Sequence, residues 1–328
     1  MINNSSKTYD VIIMTYMPKD YLTKSIEMLM NMKCLPSKII ICNTDEELFY
    51  KNIKDKPAID ALLNKKSDVE IQLIHVNKED FDHGKTRNYA VTFTNSDYIL
   101  FLTDDAVPYD ENMTDSLIDA FDKYSTESSK VAVSYARQIP RDNATLKEKL
   151  IREYNYPAYD IIKEKSKEKE LGIKNYFCSN VCAMYDRDIF IKQGMFEENI
   201  ILNEDTFYVY NAINNGYRVV YKSDALVIHS HNLRYIDQFR RNFDIGVSQE
   251  ERKEIFDRVP SEKEGVGFVK AITIKLLKGF HFVTLIDFSL DCAYRYFGYK
   301  MGRRYMSLDT DKRIKYSNNK YYFKGKND

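Results

Sequence analysis

Four short apolar runs separated by helical stretches are the strongest constraint on this chain. They are Tyr9–Thr15 (YDVIIMT), Lys38–Cys42 (KIIIC), Glu70–Val76 (EIQLIHV) and Asp97–Leu102 (DYILFL). Each is too short for a buried helix, and most are β-branched at the centre, so they read as strands buried on both faces. Leu22, Ile26, Leu29 and Met30 recur at helical spacing after the first run, and a helix is expected from near Lys85. The order βαβαβαβ requires crossover connections, hence a parallel sheet covered by helices, with ligands at the carboxyl ends of the strands. Lys130–Ala136 and Arg218–Tyr221 read as further strands that extend it into a mixed sheet. Lys163–Glu170 (KEKSKEKE) reads as a solvated helix or loop. After His231 the composition turns to long helix-favouring segments, which divides the chain into an α/β segment, 1–232, and a helical region, 233–328.

Composition excludes some roles. Lys+Arg and Asp+Glu both number 49, so no basic face is available for non-specific nucleic-acid binding. The five cysteines (Cys34, Cys42, Cys178, Cys182, Cys292) are odd in number and lack zinc-finger spacing, which reads as reduced thiols of a cytosolic protein. Met1–Tyr9 is polar without an apolar signal region, and no run approaches the roughly 18–20 apolar residues of a membrane span. The expectation is a cytoplasmic protein, within reach of the inner face of the membrane.

Polar residues gather where the strands end. Asp104 and Asp105 follow the fourth strand, where two carboxylates either hold a divalent cation against a diphosphate or cap the next helix. Phe81–Asn88 (FDHGKTRN) places a glycine turn before a helix, a geometry that can approach an anion. Glu204 and Asp205 precede a helical segment, either as a general base and its neighbour or as dipole-favoured acids of a first turn. His229 and His231, two apart at a strand end, point the same way, toward a metal or a phosphate.

In order, these segments resemble family 2 glycosyltransferases of the GT-A fold, and within them the rhamnosyltransferase-like bacterial branch. The carriers are VIIMTYMP (11–18), IICNTDE (40–46), FDHGKTRN (81–88), FLTDDAVP (101–108), ARQIP (136–140), EYNYP (153–157), FCSNVCAMY (177–185), NEDTF (203–207) and VIHSHN (227–232). The resemblance spans about residues 9–232 and implies an α/β GT-A fold, a Rossmann-like mixed sheet flanked by helices with a helical C-terminal extension. It implies metal-dependent inverting transfer of a sugar, rhamnose in the nearest branch, from a dTDP- or UDP-sugar to a saccharide or lipid-linked saccharide in polysaccharide synthesis. The divalent cation, Mg²⁺ or Mn²⁺, falls to Asp105 with His229 and His231, and the catalytic base to Asp205 supported by Glu204. Thr15, Tyr16, Asn43, Asp45, Arg87, Asn88 and Asp104 take the donor-binding positions, with Asn43 standing where the family carries an acid. Arg137, Gln138, Ser179 and Asn180 take sugar or acceptor positions.

Two other classes compete on the residues alone. A nucleotidyltransferase would bring a Gly-rich basic first loop, which Thr15-Tyr16-Met17-Pro18 does not supply. A non-catalytic sugar- or nucleotide-binding module would be expected to lose Asp105 or Asp205, and both are present. For 233–328, where basic and aromatic residues mix from Phe268 to Met306, the expectation is a membrane-surface element or a homodimer contact.

Overall fold

A computed structural model describes residues 7–51, 53, 56–64 and 67–324. The outermost parts of the two expected segments, residues 1–6 and 325–328, lie outside the described residues. The four sequence-legible strands are β1 (Tyr9–Tyr16), β2 (Lys38–Thr44), β3 (Glu70–Val76) and β4 (Tyr98–Thr103). They pair in parallel in the order β3-β2-β1-β4. Alternate residues of β1 feed two separate cores, Val11 and Ile13 on one face, Ile12 and Met14 on the other. Burial on both faces explains why these strands read as unbroken apolar runs.

The second half adds β5 (Val107–Pro108), β6 (Val131–Ile139), β7 (Ile161–Lys163), β8 (Cys182–Asp186) and β9 (Arg218–Ile228). Beyond β4 the order runs β8-β6-β9-β5, and β7 pairs with β9. β8 runs antiparallel to both β4 and β6, which makes the sheet mixed. Its short run CAMYD carries no period of its own, and this central strand was not expected from the sequence. β9 is longer than expected. Its partner register on β6 jumps from Ala136↔Lys222 to Arg137↔Leu226, leaving 223–225 as a bulge. Asp160 fixes that bulge, accepting from the Ser223 N–H and hydroxyl at 2.8 Å each and facing Lys222 Nζ at 3.2 Å. Beyond the bulge β9 pairs with β5, which carries residue 229 to within reach of 105.

The charge run is corrected in one place. Lys163 closes β7 and is buried, with its ammonium donating to the Phe177 carbonyl and lying 4.9 Å from the Tyr135 ring centroid. Burial pulls its pKa down to about 7. The residues after it are exposed or half-buried, as a solvated stretch would be.

Helices α1 (Tyr21–Leu29), α2 (His83–Val91), α3 (Met113–Lys123), α4 (Leu146–Asn155) and α5 (Glu204–Asn214) belong to the sheet layer. From residue 235 the chain is helical, with α6 (Tyr235–Glu251), α7 (Glu262–Lys278) and α8 (Phe282–Gly302) the longest segments. These helices share cores with the sheet layer, through Ile201 with Phe243 and Val247, and through Ile151 with Ile272 and Phe288. α6 and α8 cross at glycines. A Cβ on Gly302 would fall 2.1 Å from the Phe243 carbonyl oxygen and 2.9 Å from the Gly246 Cα. Gly302→Val should therefore lower stability by roughly 1–3 kcal/mol, the usual range for overpacking. Gly265→Ala, whose new Cβ meets nothing within 4 Å, should leave the melting temperature unchanged or raised. Thermal and urea unfolding of the two variants beside the parent checks both.

Candidate active site

The sheet changes winding direction between β1 and β4, since β2 and β3 lie on one side of β1 and β4 on the other. Such a switch leaves a crevice at the carboxyl ends, and the first acids stand there. Thr15, the last residue but one of β1, donates to Asp104 Oδ2 at 2.8 Å across it. Burial pushes the Asp104 pKa up to about 6. Asp105 turns the other way. Its carboxylate lies 3.5 Å from His229 Nε2 and 3.0 Å from His231 Nε2, and the two imidazole Nε2 atoms are 3.0 Å apart. These three residues form a cluster whose ligand atoms lie within 4.8 Å of one another.

Hydrogen bonds behind the cluster settle its proton arrangement. Arg152 donates to Gln138 Oε1, and because arginine cannot accept, the atom facing it is the amide oxygen. His229 Nδ1 lies 2.8 Å from the same oxygen and must therefore donate, which leaves its Nε2 as a bare lone pair aimed at Asp105. Burial drives the His229 pKa down to about 4 against the pull of Asp105, so the ring is neutral at neutral pH. Asp105 is held well below the usual carboxylate range, with burial opposing and imidazole contact, His231 Nε2 at 3.0 Å the nearer, favouring its ionised form. Arg141 binds the carbonyls of both Asp105 and Ser230, tying the two loops together, and its guanidinium stacks 4.1 Å from the Tyr21 ring centroid. A carboxylate and two imidazoles held with converging lone pairs need a shared proton or a cation between them.

The second acidic pair opens α5. Asn203 takes a left-handed conformation, φ 72°, and Glu204 and Asp205 form the first turn. Burial would raise the Glu204 pKa, but the Arg87 guanidinium at 3.3 Å, with His83, outweighs that and keeps it ionised. Asp205 is pushed up to about 7, by burial first and by the adjacent Glu204 charge second. Asn180 holds both acids, its N–H to Asp205 Oδ2 at 3.3 Å and its amide to Glu204 Oε1 at 3.0 Å. The neighbouring Ser179 accepts from Gln138 Nε2 at 2.9 Å. The dipeptide before β8 thus joins the histidine cluster to the acidic pair.

Several expected donor and acceptor residues are taken up by the fold. Gln138 and Ser179 sit behind His229 rather than facing a ligand, and Asn180 is a clamp on the acids. Asn88 spends its amide on the 196–198 segment, donating to the Phe196 carbonyl at 2.9 Å and to Glu198 at 3.2 Å, and accepting the Phe196 N–H at 3.1 Å. The glycine turn at 81–88 is not an anion cradle. The Asp82 carboxylate already occupies the α2 N-terminus, accepting from Gly84 N at 2.9 Å and Lys85 N at 2.7 Å. Gly84 is needed for packing, since a Cβ there would fall 1.9 Å from the Glu197 carbonyl oxygen. Asn43 is buried at the end of β2, its amide on His75 Nδ1 at 2.9 Å and the Asp45 carbonyl at 3.1 Å. Asp45, at φ 70°, caps the short helix after it. Tyr16 remains exposed, with Lys78 against its hydroxyl and 4.9 Å from its ring centroid. Arg137 is half-buried on β6. Sequence reading missed Arg141 and Arg152, because nothing local distinguishes a cation that braces a histidine from any surface arginine, and missed Glu148, whose carboxylate accepts from Arg152 Nε at 2.8 Å.

A mixed sheet with acids and imidazoles along its carboxyl edge is the arrangement that the resemblance to GT-A glycosyltransferases implies. Residues 10–194 match the model of glycosyl transferase family 2, and the chain belongs to that family. The O-antigen chain rhamnosyltransferase RfbN of Salmonella typhimurium is 35% identical over 244 residues, 73% of this chain and 74% of that protein. The O-antigen chain rhamnosyltransferase WbaN of Salmonella anatum is 34% identical over 262 residues, 78% and 80% of the two chains. Among solved structures, a mannosyltransferase from Pyrobaculum calidifontis, in complex with GDP-Man and Mn²⁺, superposes with TM-score 0.58 over 90% of this chain and 87% of its own. At 12% identity that likeness concerns the fold alone.

The Asp205 environment has a measurable cost. The unfolded chain ionises this carboxyl near its ordinary value of about 4, whereas the folded protein keeps it protonated to about 7. The group's contribution to stability therefore falls as pH rises through that window and levels off above it. Asp205→Asn cannot ionise. It should melt above the parent at pH 8, with the difference shrinking toward pH 5, read by thermal unfolding across pH.

Proposed function

We propose that this enzyme transfers rhamnose, with inversion, from dTDP-rhamnose to a saccharide acceptor in bacterial surface-polysaccharide synthesis. The observation that carries the donor sugar is the identity, 35% and 34%, to two proteins named as O-antigen chain rhamnosyltransferases. The site residues supply the mechanism. Asp205 takes the proton from the acceptor hydroxyl as that oxygen attacks the anomeric carbon and the diphosphate leaves from the opposite face. A base with a pKa near 7 is half ionised at neutral pH, the condition under which general-base catalysis is most effective. Glu204, kept ionised by Arg87, raises that basicity, and Asn180 aims the carboxylate.

The Asp105, His229 and His231 cluster fits a divalent cation, because His229 already presents an unprotonated nitrogen and Asp105 a full charge. When bound, Mn²⁺ or Mg²⁺ neutralises charge on the diphosphate. Gln138, Arg152 and Arg141 brace the ligand residues through hydrogen bonds of their own. Donor contact falls to Thr15, Tyr16 and Asp104 at the crevice between β1 and β4, and Arg87 joins them only through the Glu204 carboxylate that it pairs with.

Rhamnosyl transfer is tested with dTDP-rhamnose, UDP-glucose and GDP-mannose, each with Mn²⁺ or with EDTA. Turnover is expected with dTDP-rhamnose and Mn²⁺, along a pH limb that rises through about 7. Asp205→Asn should lower turnover by roughly a hundredfold or more with donor binding kept. Asp105→Ala should lose metal-dependent nucleotide binding, and Gln138→Leu should weaken cation affinity by roughly 10–100-fold. Equal activity of Asp105→Ala in EDTA sinks the metal assignment, and preference for UDP-glucose moves the donor to a UDP-hexose.

The α7–α8 hairpin supports peripheral contact with an anionic membrane, at the inner face. No helix among the described residues is long and apolar enough to cross a membrane. The hairpin nevertheless exposes Val266, Phe280, Phe282, Val283, Ile286 and Phe297, with Phe280 78% and Val283 84% exposed at its tip. Exposed Lys270, Lys278 and Lys300 flank these residues. The acids of α8 are paired, Asp287 with Lys147 at 2.8 Å and the buried Asp291 with Arg295 at 2.6 Å. Apolar side chains with lysines beside them match an interface of acyl chains and anionic headgroups, the acids of α7 being confined to its first turn at Glu262 and Glu264. Sedimentation with phosphatidylglycerol vesicles should carry the protein down at low salt and release it at high salt. Phe280→Ser with Val283→Ser should abolish binding, whereas recovery in the supernatant throughout removes the membrane contact.

A further inference from the structure

The last described helix, α9 (Lys320–Lys324), returns to the carboxyl edge of the sheet. It is anchored on α6. Phe323 is buried in a core with Phe243 and Val247, and the Tyr322 hydroxyl donates to Glu251 at 2.6 Å. Just before the helix, the Asn318 N–H donates to Asp244 Oδ2 at 3.0 Å. Tyr321 is not one of these anchors, and its ring is 36% exposed. Lys78, two residues past β3, donates to the hydroxyl of Tyr16, which closes β1 and is 44% exposed. The Lys78 ammonium lies 4.9 Å from the Tyr16 ring centroid and 5.5 Å from that of Tyr321. Lys324 Nζ lies 4.9 Å from the Tyr321 ring as well. Two exposed rings, one from the first strand and one from the last helix, thus share one lysine where β1 and β3 end.

We infer that Tyr321 stacks on the nucleobase of the donor together with Tyr16, so that the C-terminal helix supplies part of the donor site. The inference rests on the reading of this enzyme as a nucleotide-sugar transferase. It adds a residue outside 9–232, the span of the resemblance, and outside the matched residues 10–194. The strand order sets the distance. β3, β2, β1 and β4 are successive neighbours, so the loop after β3 stands about 14 Å, three strand spacings, from the loop that carries Asp104 and Asp105. An extended nucleoside diphosphate covers that span, and with its phosphates at the Asp105 cluster its base reaches the two rings. Aromatic faces stack on any base, because every base has a π-face. Lys78, on a flexible four-carbon stem, yields the ring faces to the base and keeps its charge beside an anionic ligand.

The chain contains no tryptophan, so Tyr321→Trp introduces a single reporter into the full-length protein. dTDP with Mn²⁺ should quench its fluorescence, whereas inorganic pyrophosphate with Mn²⁺, which brings charge without a base, should not. By calorimetry Tyr321→Ala should raise the Kd for dTDP roughly tenfold or more, and Tyr321→Phe should stay within about twofold of the parent. Pyrophosphate should bind the parent and both variants alike. An unchanged melting temperature of Tyr321→Ala shows that α9 is still docked. If that variant melts early, the Tyr321→Trp signal decides, and absence of base-dependent quenching overturns the proposal. Equal dTDP affinity in Tyr321→Ala and parent, or an equal loss of pyrophosphate binding, also overturns it and leaves the transferase reading standing. Binding of UDP in place of dTDP moves the donor, and the same ratios are then read with UDP. A parent that binds neither nucleotide refutes the transferase reading and the inference with it.

Discussion

Four carboxylates, Asp104, Asp105, Glu204 and Asp205, crowd one edge of one sheet, and their mutual repulsion is the constraint around which the site is built. Each is answered differently. Asp105 is held ionised beside the His231 imidazole, and Glu204 by Arg87. Asp104 meets Thr15 and Asp205 sits against Glu204, and both drift toward the protonated form. The outcome is one charged member and one near-neutral member in each pair. Such a split separates roles that identical side chains could not otherwise divide, since a ligand for a cation must be charged and a base must be able to gain a proton.

What keeps the two pairs in register is the peptide before β8. Ser179 reaches the Gln138 amide and Asn180 reaches both α5 acids. Because β8 is hydrogen-bonded between β4 and β6, that peptide cannot shift without breaking the sheet. The Asp105 cluster and Asp205, the proposed base, are therefore parts of one frame, as a reaction requiring sub-ångström placement demands. The C-terminal helices complete the frame from behind. Asn203 donates to Ser248 on α6 at 2.9 Å, so α6 braces the start of α5.

The stabilities of site and frame pull in opposite directions. A buried acid beside another acid is destabilising once ionised, and the surrounding sheet offsets it with two apolar cores, one on each face. The glycine crossing of α6 and α8 serves the same end at the back of the molecule. It lets two helices approach until Gly302 touches the Phe243 carbonyl.

The sequence by itself determined the parallel half of the sheet, because strands buried on both faces must be continuous apolar runs and helices between them show their own period. It also singled out acids and imidazoles that the fold brings into two groups, since Asp105, Glu204, Asp205, His229 and His231 stand at element ends where side chains leave the core. Tertiary structure decided how they meet. β8 has no pattern of its own and forms only because β4 and β6 leave a slot for it. The bulge at 223–225, pinned by Asp160, brings His229 to Asp105, and no local rule sets a bulge that depends on a residue sixty positions away. Gln138, Asn180 and Asn88 read as ligand contacts, yet the fold spends them on positioning. Amides are equally suited to either use, and only the neighbours that packing supplies choose between them.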